Sequence, residues 1–429
     1  MTEPIHVQRP GGRSVFDRSV VGITLPAQPD PALELAPGVY QSDGMSNSWM
    51  LATPEGRIVI NAGMGFEGAV HRQKYDAVDS GPVRYLIFTQ GHVDHVGGAE
   101  AFLEEGTEMI AHAGNQGHQA LDQLIQGYRM RRSAFAFPQV RAYFEGRSGE
   151  AEQPAAVQAV PEPDISFEDR YAFSLGGLDL ELMWVPGGET NDSIIVWLPE
   201  ARIAIVGNLF GALFGHVPNL VTIRGDKYRE SEVFSAAIER VRALEPEILA
   251  VGHHEPLVGA KHIAEQLDRL HAAVAYVHDE TVRYMNEGKD VYQAMAEIHL
   301  PPELAVGEGY GKVAWNVRAI WENYVGWFDH RSTTELYAPP PSSVYPDLVE
   351  LAGAAQVVER GRKRLEGGDA VEALHLCEAV LAAAPGDRAA LGLYRDAHLA
   401  LEAASDNFWE ISWLRDQVRL TDEKLGSAG

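Results

Sequence analysis

The sequence predicts an α+β fold followed by an all-helical region. As far as Gly288, short apolar runs rich in β-branched residues alternate with segments whose apolar residues recur at helical spacing. Beyond Gly288 only the helical spacing continues. We therefore expect an N-terminal arm over residues 1–30, a mixed domain over 31–288 and a helical domain over 289–424.

The first elements are the arm and a hairpin. Residues 1–30 are rich in Pro, Gly and Arg and show little periodicity, which indicates an arm that is wrapped over the surface or partly disordered. Two β-rich runs, 48–52 and 57–61, are joined by Thr-Pro-Glu-Gly. Proline presets φ for a turn and glycine permits positive φ, so the two runs predict a hairpin.

Later runs predict further elements in order. These are a loop over 147–165, a hairpin about the glycines at 176 and 177, strands over 194–198, 202–210 and 248–254, and helices over 228–244 and 263–287. Paired helices are expected around 367–370 and 384–388. Alone, these last helices also suggest a tetratricopeptide-like interaction module, although no second copy of that repeat exists.

The densest cluster of reactive residues follows the apolar run 85–88. His92, Asp94 and His95 place two imidazoles and a carboxylate within four residues. Residues i and i+2 of extended chain point to the same side, and the glycines at 97 and 98 permit a turn that brings His95 in from the other flank. The pattern favours a metal site, although such proximity also arises by chance in a chain with 16 histidines.

Composition narrows the partners and the ligand types. Hydrophobic residues make up 45% of the chain and charged residues 22%, which is typical of globular proteins. A formal net charge of −26 disfavours nucleic acid and anionic membranes as partners. Cys377 is the only cysteine, so any metal must be bound through nitrogen and oxygen. Because no apolar run has the length of a signal peptide or membrane helix, we expect a cytoplasmic enzyme.

Residues 90–95 resemble the His-x-His-x-Asp-His signature of the metallo-β-lactamase superfamily, with Gln90 at the first ligand position. The loop 185–193 resembles the superfamily's Pro-Gly-His-Thr-x-x-Ser and carries Glu189 where the ligand histidine stands. Residues 252–256 match the last ligand motif, with His253 as the ligand. The resemblance implies an αββα sandwich and a metal-dependent activity.

The resemblance also implies which residues bind metal. One metal position keeps three protein ligands, namely Asp94, His95 and His253. The other keeps His92 and Glu189, with Gln90 as an additional candidate, and is expected to hold a second, weaker metal or to orient the substrate. The expected cofactor is a divalent metal ion, Zn²⁺ in the first place, with iron or manganese as alternatives.

Two amides stand where the superfamily has carboxylates. Asn208 occupies the position of the carboxylate that bridges two metals, and Asn61 replaces the Asp of an Asp-x-Gly motif beneath the metals. An amide oxygen can bind one metal, but it adds no charge to offset the repulsion between two cations. We therefore expect one complete metal position.

Two segments resemble the alkylsulfatase branch of the superfamily. Residues 127–137 resemble its Asn-Ala-Met-x-Arg-Arg-x-x-Tyr-x-Tyr, with Arg131 and Arg132 matching and two phenylalanines replacing the tyrosines. Residues 217–225 resemble its Leu-His-Asn-Leu-Tyr-Thr-Leu-Arg-Gly, in which the Asn and Arg contact the sulfate, and Asn219 and Arg224 match. For Arg131 and Arg132, a solvated or salt-bridged helix face is an equal alternative. His216 lies close by and is a candidate to protonate a leaving group.

The helical region resembles the alkylsulfatase dimerisation domain over 309–312, 316–321 and 324–329, which implies a homodimer. The match as a whole covers roughly residues 35–422. The sterol-carrier-like domain into which alkylsulfatases continue is absent from this sequence, from which we expect a smaller or more polar substrate.

These resemblances imply a metal-dependent hydrolase that cleaves a sulfate ester or a related small anionic ester with a metal-activated water. The expected catalytic residues are Asp94, Glu189 and His216, and the expected substrate-binding residues are Arg224, Asn219, Arg131 and Arg132. Two alternatives stay open. One is a divergent metallo-hydrolase or lyase that acts on another small molecule with one intact metal site, and the other is a metal-poor dimeric binding protein.

Overall fold

The structure is a computed structural model that describes Val15, Arg18, Val20, Ile23, residues 25–137 and residues 158–426. Most of the predicted N-terminal arm and the first part of the loop predicted over 147–165 lie outside the described residues. The chain divides into two compact units, Met1–Asn323 and Tyr324–Gly429. The domain boundaries predicted from the sequence, at residues 30, 288 and 424, stay predictions.

One sheet contains seven strands that are neighbours in chain order. They are β1 (Leu33–Ala36), β2 (Val39–Ser42), β3 (Ser48–Thr53), β4 (Gly56–Ile60), β5 (Val83–Ile87), β6 (Glu108–His112) and β7 (Ile165–Phe167). The first four strands pair antiparallel, and β4 to β7 pair parallel. The predicted hairpin is therefore β3–β4.

The second sheet contains six strands. They are β8 (Arg170–Leu175), β9 (Leu178–Trp184), β10 (Ile194–Leu198), β11 (Ile203–Gly207), β12 (Ile248–Val251) and β13 (Leu257–Val258), again in chain order across the sheet. Only β11 and β12 pair parallel, and the other pairs are antiparallel. Strands β8 and β9 form the hairpin predicted about the glycines at 176 and 177.

The helices fill the connections and cover the outer faces. In the N-terminal unit they are α1 (Gly68–Asp76), α2 (Val93–Val96), α3 (Asn115–Leu124), α4 (Gln126–Ser133), α5 (Ser231–Ala243), α6 (Ala260–Asn286) and α7 (Val291–Glu297), and α8 (Val313–Val325) ends just beyond it. Short 3₁₀ turns cover Ala99–Phe102 and Pro302–Leu304.

The core lies between and around the two sheets. Trp49 and Ile60 of the first sheet pack in one buried cluster with Ile194 and Ile205 of the second. Helix α1 and the 3₁₀ turn after α2 cover the other face of the first sheet, and α5 and α6 cover the other face of the second. A sheet that is buried on both faces requires apolar residues at consecutive positions, and every residue of β10 is buried. The predicted αββα sandwich is confirmed.

The carboxyl ends of strands from both sheets meet at one edge of the sandwich. Strands β4 and β5 are parallel, as are β11 and β12, so each pair ends on the same side. The loops that follow are tied together by backbone hydrogen bonds, including Asn47 N–H to Gly252 C=O at 2.6 Å and Ile194 N–H to Thr89 C=O at 2.9 Å. Every metal ligand predicted from the sequence lies on a loop at this edge or in the short helix α2.

The C-terminal unit consists mainly of helices. They are α9 (Tyr345–Ala352), α10 (Ala354–Glu366), α11 (Ala370–Ala383), α12 (Arg388–Ala403) and α13 (Phe408–Gly426), preceded by 3₁₀ turns at Thr333–Leu336 and Pro341–Val344. Cys377 is buried among Val358, Val380 and Leu393. The turns that end α10 at Glu366 and α11 at Ala383 lie where the sequence predicted the connections between paired helices. Among the described residues of the whole chain, no helix has the length and hydropathy needed to cross a membrane.

Candidate metal centre

The loop after β5 carries the predicted ligands and is held in a narrow space. His92 is the N-cap of α2, and Asp94 and His95 lie within that helix. The loop leaves α2 through Gly97 and Gly98, and a Cβ on Gly98 would lie 2.1 Å from the carbonyl oxygen of Ala62. Glycine is required there because the clash is with backbone, which cannot move aside.

Four buried polar side chains form one ligand cluster around an oxygen of Glu189. Its Oε2 lies 3.3 Å from Gln90 Nε2, 3.2 Å from His92 Nδ1 and 3.0 Å from Asn208 Nδ2. Gln90 Nε2 and His92 Nδ1 are 2.9 Å apart. Donors on a tetrahedral zinc, each about 2.1 Å from the metal, lie about 3.3 Å from one another. Two of these nitrogens belong to amide NH₂ groups, which donate hydrogen bonds and do not bind a metal, so only the 3.2 Å separation of His92 Nδ1 and Glu189 Oε2 fits a pair of metal ligands.

The charges around His92 come from both sides of its ring. Asp226 Oδ2 lies 3.8 Å from His92 Nε2, opposite Glu189 at Nδ1. Burial lowers the pKa of His92, but the interactions of its ring with the Asp226 and Glu189 carboxylates outweigh this effect and raise the pKa to about 10. Burial raises the pKa of Glu189, yet His92 and Arg229 hold it well below its ordinary range. Glu189 is therefore a carboxylate at neutral pH.

The predicted ligands Asp94, His95 and His253, called here the second ligand cluster, are related by charge, because the Asp94 carboxylate acts on both imidazoles. His95 Nε2 lies 3.5 Å from Asp94 Oδ2. His253 donates its Nδ1–H to the carbonyl of Ile23 at 2.9 Å, and its buried Nε2 has no hydrogen-bond partner among the described residues. Burial lowers the pKa of both imidazoles, and the nearby Asp94 carboxylate opposes that shift. His253 thus has the protonation and orientation of a metal ligand.

Asn61 lies directly beneath His95. Its Nδ2 is 2.8 Å from His95 Nδ1 and 2.8 Å from Thr89 Oγ1, and its Oδ1 accepts the backbone N–H of Thr89 at 2.8 Å. The side chain is fully buried. The amide therefore contacts one ligand histidine directly, in addition to removing the charge that a carboxylate would bring.

Arginines connect the ligand loops to the loop over 217–225. Arg229 is buried and donates to the carbonyls of Glu189 at 3.1 Å and Asn219 at 2.6 Å. Arg224 lies among the charges of Glu189, Asp226 and Asp94. Burial lowers the pKa of Arg224, while Tyr310 and these carboxylates raise it above its ordinary value. A guanidinium so placed can bind an anionic group beside the ligand clusters.

The arginines of α4 have different surroundings. Arg132 is exposed and donates to the carbonyls of Ile223 at 2.8 Å and Arg224 at 3.0 Å. Arg131 is exposed. Arg129 bridges Asp122 at 2.7 Å and Asp226 at 3.0 Å. Arg132 and Arg129 therefore fasten α4 to the loop that carries Arg224.

His216 is buried and its ring is oriented by the backbone. The N–H of Gly309 donates to His216 Nδ1 at 2.9 Å. A nitrogen that accepts a hydrogen bond carries no proton, so the neutral ring has its proton on Nε2. His216 is thus built as a hydrogen-bond donor through Nε2.

The sequence analysis missed several residues around His92. Together with His118 and Asp122, His92 forms a group whose ligand atoms all lie within 4.8 Å of one another. Asp122 is already paired with Arg129 at 2.7 Å, which competes with a cation. Asp226 and Arg229 were missed as well, because each lies far from the ligand motif in sequence and no spacing rule connects them to it.

Two family models match the chain. Residues 42–253 match the metallo-beta-lactamase superfamily, and residues 290–416 match the family described as alkyl sulfatase dimerisation. The fold and the ligand loops agree with the first assignment. The region 42–253 belongs to the metallo-beta-lactamase superfamily. Within it, the combination of the two matched regions is that of an alkylsulfatase-like protein.

The relatives are alkylsulfatases. The chain is 27% identical over 338 residues to a linear primary-alkylsulfatase of Pseudomonas sp., covering 75% of this chain and 62% of that protein. It is 24% identical over 359 residues to an alkyl/aryl-sulfatase of Saccharomyces cerevisiae, covering 78% and 55%. The chain spans between 55% and 62% of the length of the curated relatives that it matches.

A solved structure shares the fold. The stereoselective inverting sec-alkylsulfatase from Pseudomonas sp. superimposes with a TM-score of 0.78 at 21% identity, over 91% of this chain and 65% of that one. At this identity the likeness concerns the fold alone.

Proposed function

We propose that this protein is a metal-dependent hydrolase that cleaves a sulfate ester or a related small anionic ester. The observation that carries the proposal is the presence of the two ligand clusters and the Arg224 guanidinium at one edge of the sandwich. The alkylsulfatase relatives support the choice of ester.

The metal would be held by this chain's own nitrogen and oxygen donors. Asp94 and His253 supply a carboxylate and a lone pair at one position, and Gln90, His92 and Glu189 surround the other. A divalent ion such as Zn²⁺ supplies a Lewis acid there and lowers the pKa of a coordinated water. The donor set excludes a thiolate, because the only cysteine, Cys377, is buried in the core of the C-terminal unit.

The remaining residues would bind and orient the substrate. Arg224 offers a planar fork that matches two oxygens of a sulfate. Asn219 is buried in the same loop, and Arg229 holds the carbonyl of that residue. Arg132 supports the loop through two backbone carbonyls, which favours a positioning role over direct contact. Arg131 stays a candidate for contact with the substrate.

His216 would donate a hydrogen bond to the leaving group through its Nε2–H. Protonation of Nδ1 would direct an N–H at the N–H of Gly309, which disfavours the imidazolium form. We therefore expect His216 to stabilise a developing negative charge without complete proton transfer.

We also propose that the protein is a homodimer formed through the region 290–416. Within the C-terminal unit, large apolar side chains are exposed at Trp327, Tyr337 and Leu351. Such side chains can be buried against a second copy of the chain. Light scattering after size-exclusion chromatography tests this, and a monomer at micromolar concentration contradicts it.

The experiment that tests the function measures sulfate release from a panel of alkyl and aryl sulfates, with and without added zinc. Turnover that depends on zinc and disappears in Asp94→Asn supports the proposal. His375→Ala changes an exposed histidine of the C-terminal unit and serves as the control. Zinc binding without sulfate release points to the alternative substrates, and no zinc binding at all contradicts the proposal.

A further inference from the structure

Asn61 directly follows strand β4 and has a backbone conformation that suits its side chain. Its φ is +58°, a left-handed value that Asn and Asp adopt more readily than other residues with a side chain. The residue is fully buried, so each of its polar atoms needs a partner within the protein. The orientation of its amide therefore follows from the groups around it.

The backbone of Thr89 fixes which end of the amide faces His95. Asn61 Oδ1 accepts the N–H of Thr89 at 2.8 Å, and a backbone N–H can only donate. Turning the amide over would place its NH₂ group against that N–H and leave two buried donors facing each other. The NH₂ group therefore points to His95 Nδ1, at 2.8 Å, and to Thr89 Oγ1, at 2.8 Å.

An amide NH₂ group can only donate, so His95 Nδ1 must accept. A ring nitrogen that accepts has a lone pair and no proton, and a neutral imidazole then carries its single proton on Nε2. The doubly protonated ring is excluded on the same ground, because it would direct an N–H from Nδ1 at the amide. Nε2 is the atom that faces Asp94 Oδ2, at 3.5 Å.

We propose that Asn61 is a positioning residue that holds His95 with its proton on Nε2, so that His95 is a hydrogen-bond donor to Asp94 or to an anionic substrate oxygen instead of a metal ligand. A protonated ring nitrogen has no lone pair for a metal. The part that concerns metal rests on the proposed function, whereas the position of the proton does not.

His253 provides the contrast within the same site. Its Nδ1 faces the carbonyl of Ile23, which can only accept, so its proton is on Nδ1 and its lone pair is on Nε2. The two imidazoles of this cluster therefore have opposite tautomers. A metal at this position would be held by Asp94 and His253, with His95 as a donor beside it.

The first test reads the protons directly. In metal-free protein labelled with ¹⁵N-histidine, long-range proton–nitrogen correlation identifies the protonated nitrogen of each ring, and His95→Gln assigns the signals. We expect the proton of His95 on Nε2 and that of His253 on Nδ1. A proton on Nδ1 of His95 overturns the proposal, whether or not the protein binds metal.

The second test reverses the hydrogen bond. Asn61→Asp keeps the shape and the backbone conformation but presents an acceptor to His95, which moves the proton to Nδ1 and the lone pair to Nε2. We expect zinc to bind roughly 10–100-fold more tightly in Asn61→Asp, the usual range for such supporting contacts. Asn208→Asp adds the same charge beside Glu189 without contacting His95. In this variant the tautomer of His95 should not change.

A double-mutant cycle separates the lost ligand from the added charge. In the natural sequence, His95→Ala should change the zinc affinity by less than about twofold. In the Asn61→Asp background, the same substitution should remove most of the 10–100-fold gain in affinity. If His95→Ala alone lowers the zinc affinity as much as His253→Ala alone does, the proposal is contradicted. If the natural sequence and His253→Ala bind zinc equally poorly, the proposed metal function fails, and the nitrogen spectra still decide the tautomer.

Discussion

His253 donates its Nδ1–H to the carbonyl of Ile23 at 2.9 Å, and this single contact orients the last ligand histidine. It fixes the ring and keeps the lone pair of the buried Nε2 available to a metal. Ile23 lies 230 residues earlier in the chain. Ile23 in the N-terminal region thus supports a residue in the loop after β12.

Asn208→Asp should destabilise the metal-free protein and increase its stabilisation by zinc. Asn208 Nδ2 donates to Glu189 Oε2 at 3.0 Å, so a carboxylate in its place replaces a hydrogen bond with repulsion between like charges. A bound cation removes that repulsion and stabilises the folded state by mass action.

We expect the zinc-induced rise in the thermal unfolding midpoint to be larger in Asn208→Asp than in the natural sequence. Asn208→Ser, which adds no charge, is the control for the lost amide. An equal rise in all three proteins would show that Asn208 does not face the bound metal.

Arg224→Lys should weaken binding of inorganic sulfate by about tenfold, because an ammonium cannot form the two parallel hydrogen bonds of a guanidinium. Isothermal titration of the zinc-loaded protein with sulfate measures this. Arg240→Lys makes the same change on the exposed surface of α5 and should leave the sulfate affinity unaltered. An unchanged affinity in Arg224→Lys would remove this arginine from the proposed site.

Glu67 should make stability depend on pH. Its carboxylate is buried and accepts three backbone N–H groups, those of Ala27 at 2.8 Å, Met45 at 2.7 Å and Met64 at 3.0 Å. Burial outweighs these hydrogen bonds and raises the pKa of Glu67 from an ordinary 4.5 to about 7. Between these two values the folded protein holds a proton that the unfolded chain has lost.

The contribution of Glu67 to the free energy of unfolding should therefore be fully present below pH 4.5 and fall as the pH rises to about 7, by up to about 3 kcal/mol. Chemical unfolding of the natural protein and of Glu67→Gln, compared at each pH, isolates this contribution. A difference that is flat or that grows with pH would refute it.

Gly98→Ala should unfold the ligand loop or the whole N-terminal unit. The added Cβ would lie 2.1 Å from the carbonyl oxygen of Ala62 and 2.8 Å from the Cα of Gly68, and both are backbone atoms. We expect a loss of at least about 2 kcal/mol in the free energy of unfolding. Gly117→Ala, where a Cβ meets nothing within 4 Å, is the control and should not lower stability.

Much of the fold could be predicted from sequence because its signals are local. The apolar run before His92 and the apolar run before His253 each indicated a buried strand, and the structure has β5 and β12 there. The turn at Pro54 and Gly56 indicated the hairpin β3–β4. Such patterns depend only on neighbours in the chain.

The contacts between loops could not be predicted in this way. Asp226 faces His92 across 3.8 Å although 134 positions separate them, and no periodicity relates the two. Arg132 matched a substrate-binding motif, yet its guanidinium holds carbonyls at 223 and 224. The substitution at Asn61 was visible as a missing charge, but the direction of its hydrogen bond depends on the backbone N–H of Thr89.

The central claim is that this edge of the sandwich binds a catalytic divalent metal through Asp94 and His253. The most direct measurement is the metal content of purified protein after equilibration with zinc and removal of the excess, combined with anomalous diffraction at the zinc edge. We predict at least about one zinc per chain, with an anomalous peak beside His253 Nε2. That peak should be lost in His253→Ala. Protein that retains no zinc, or an anomalous peak that persists in His253→Ala, would contradict the account.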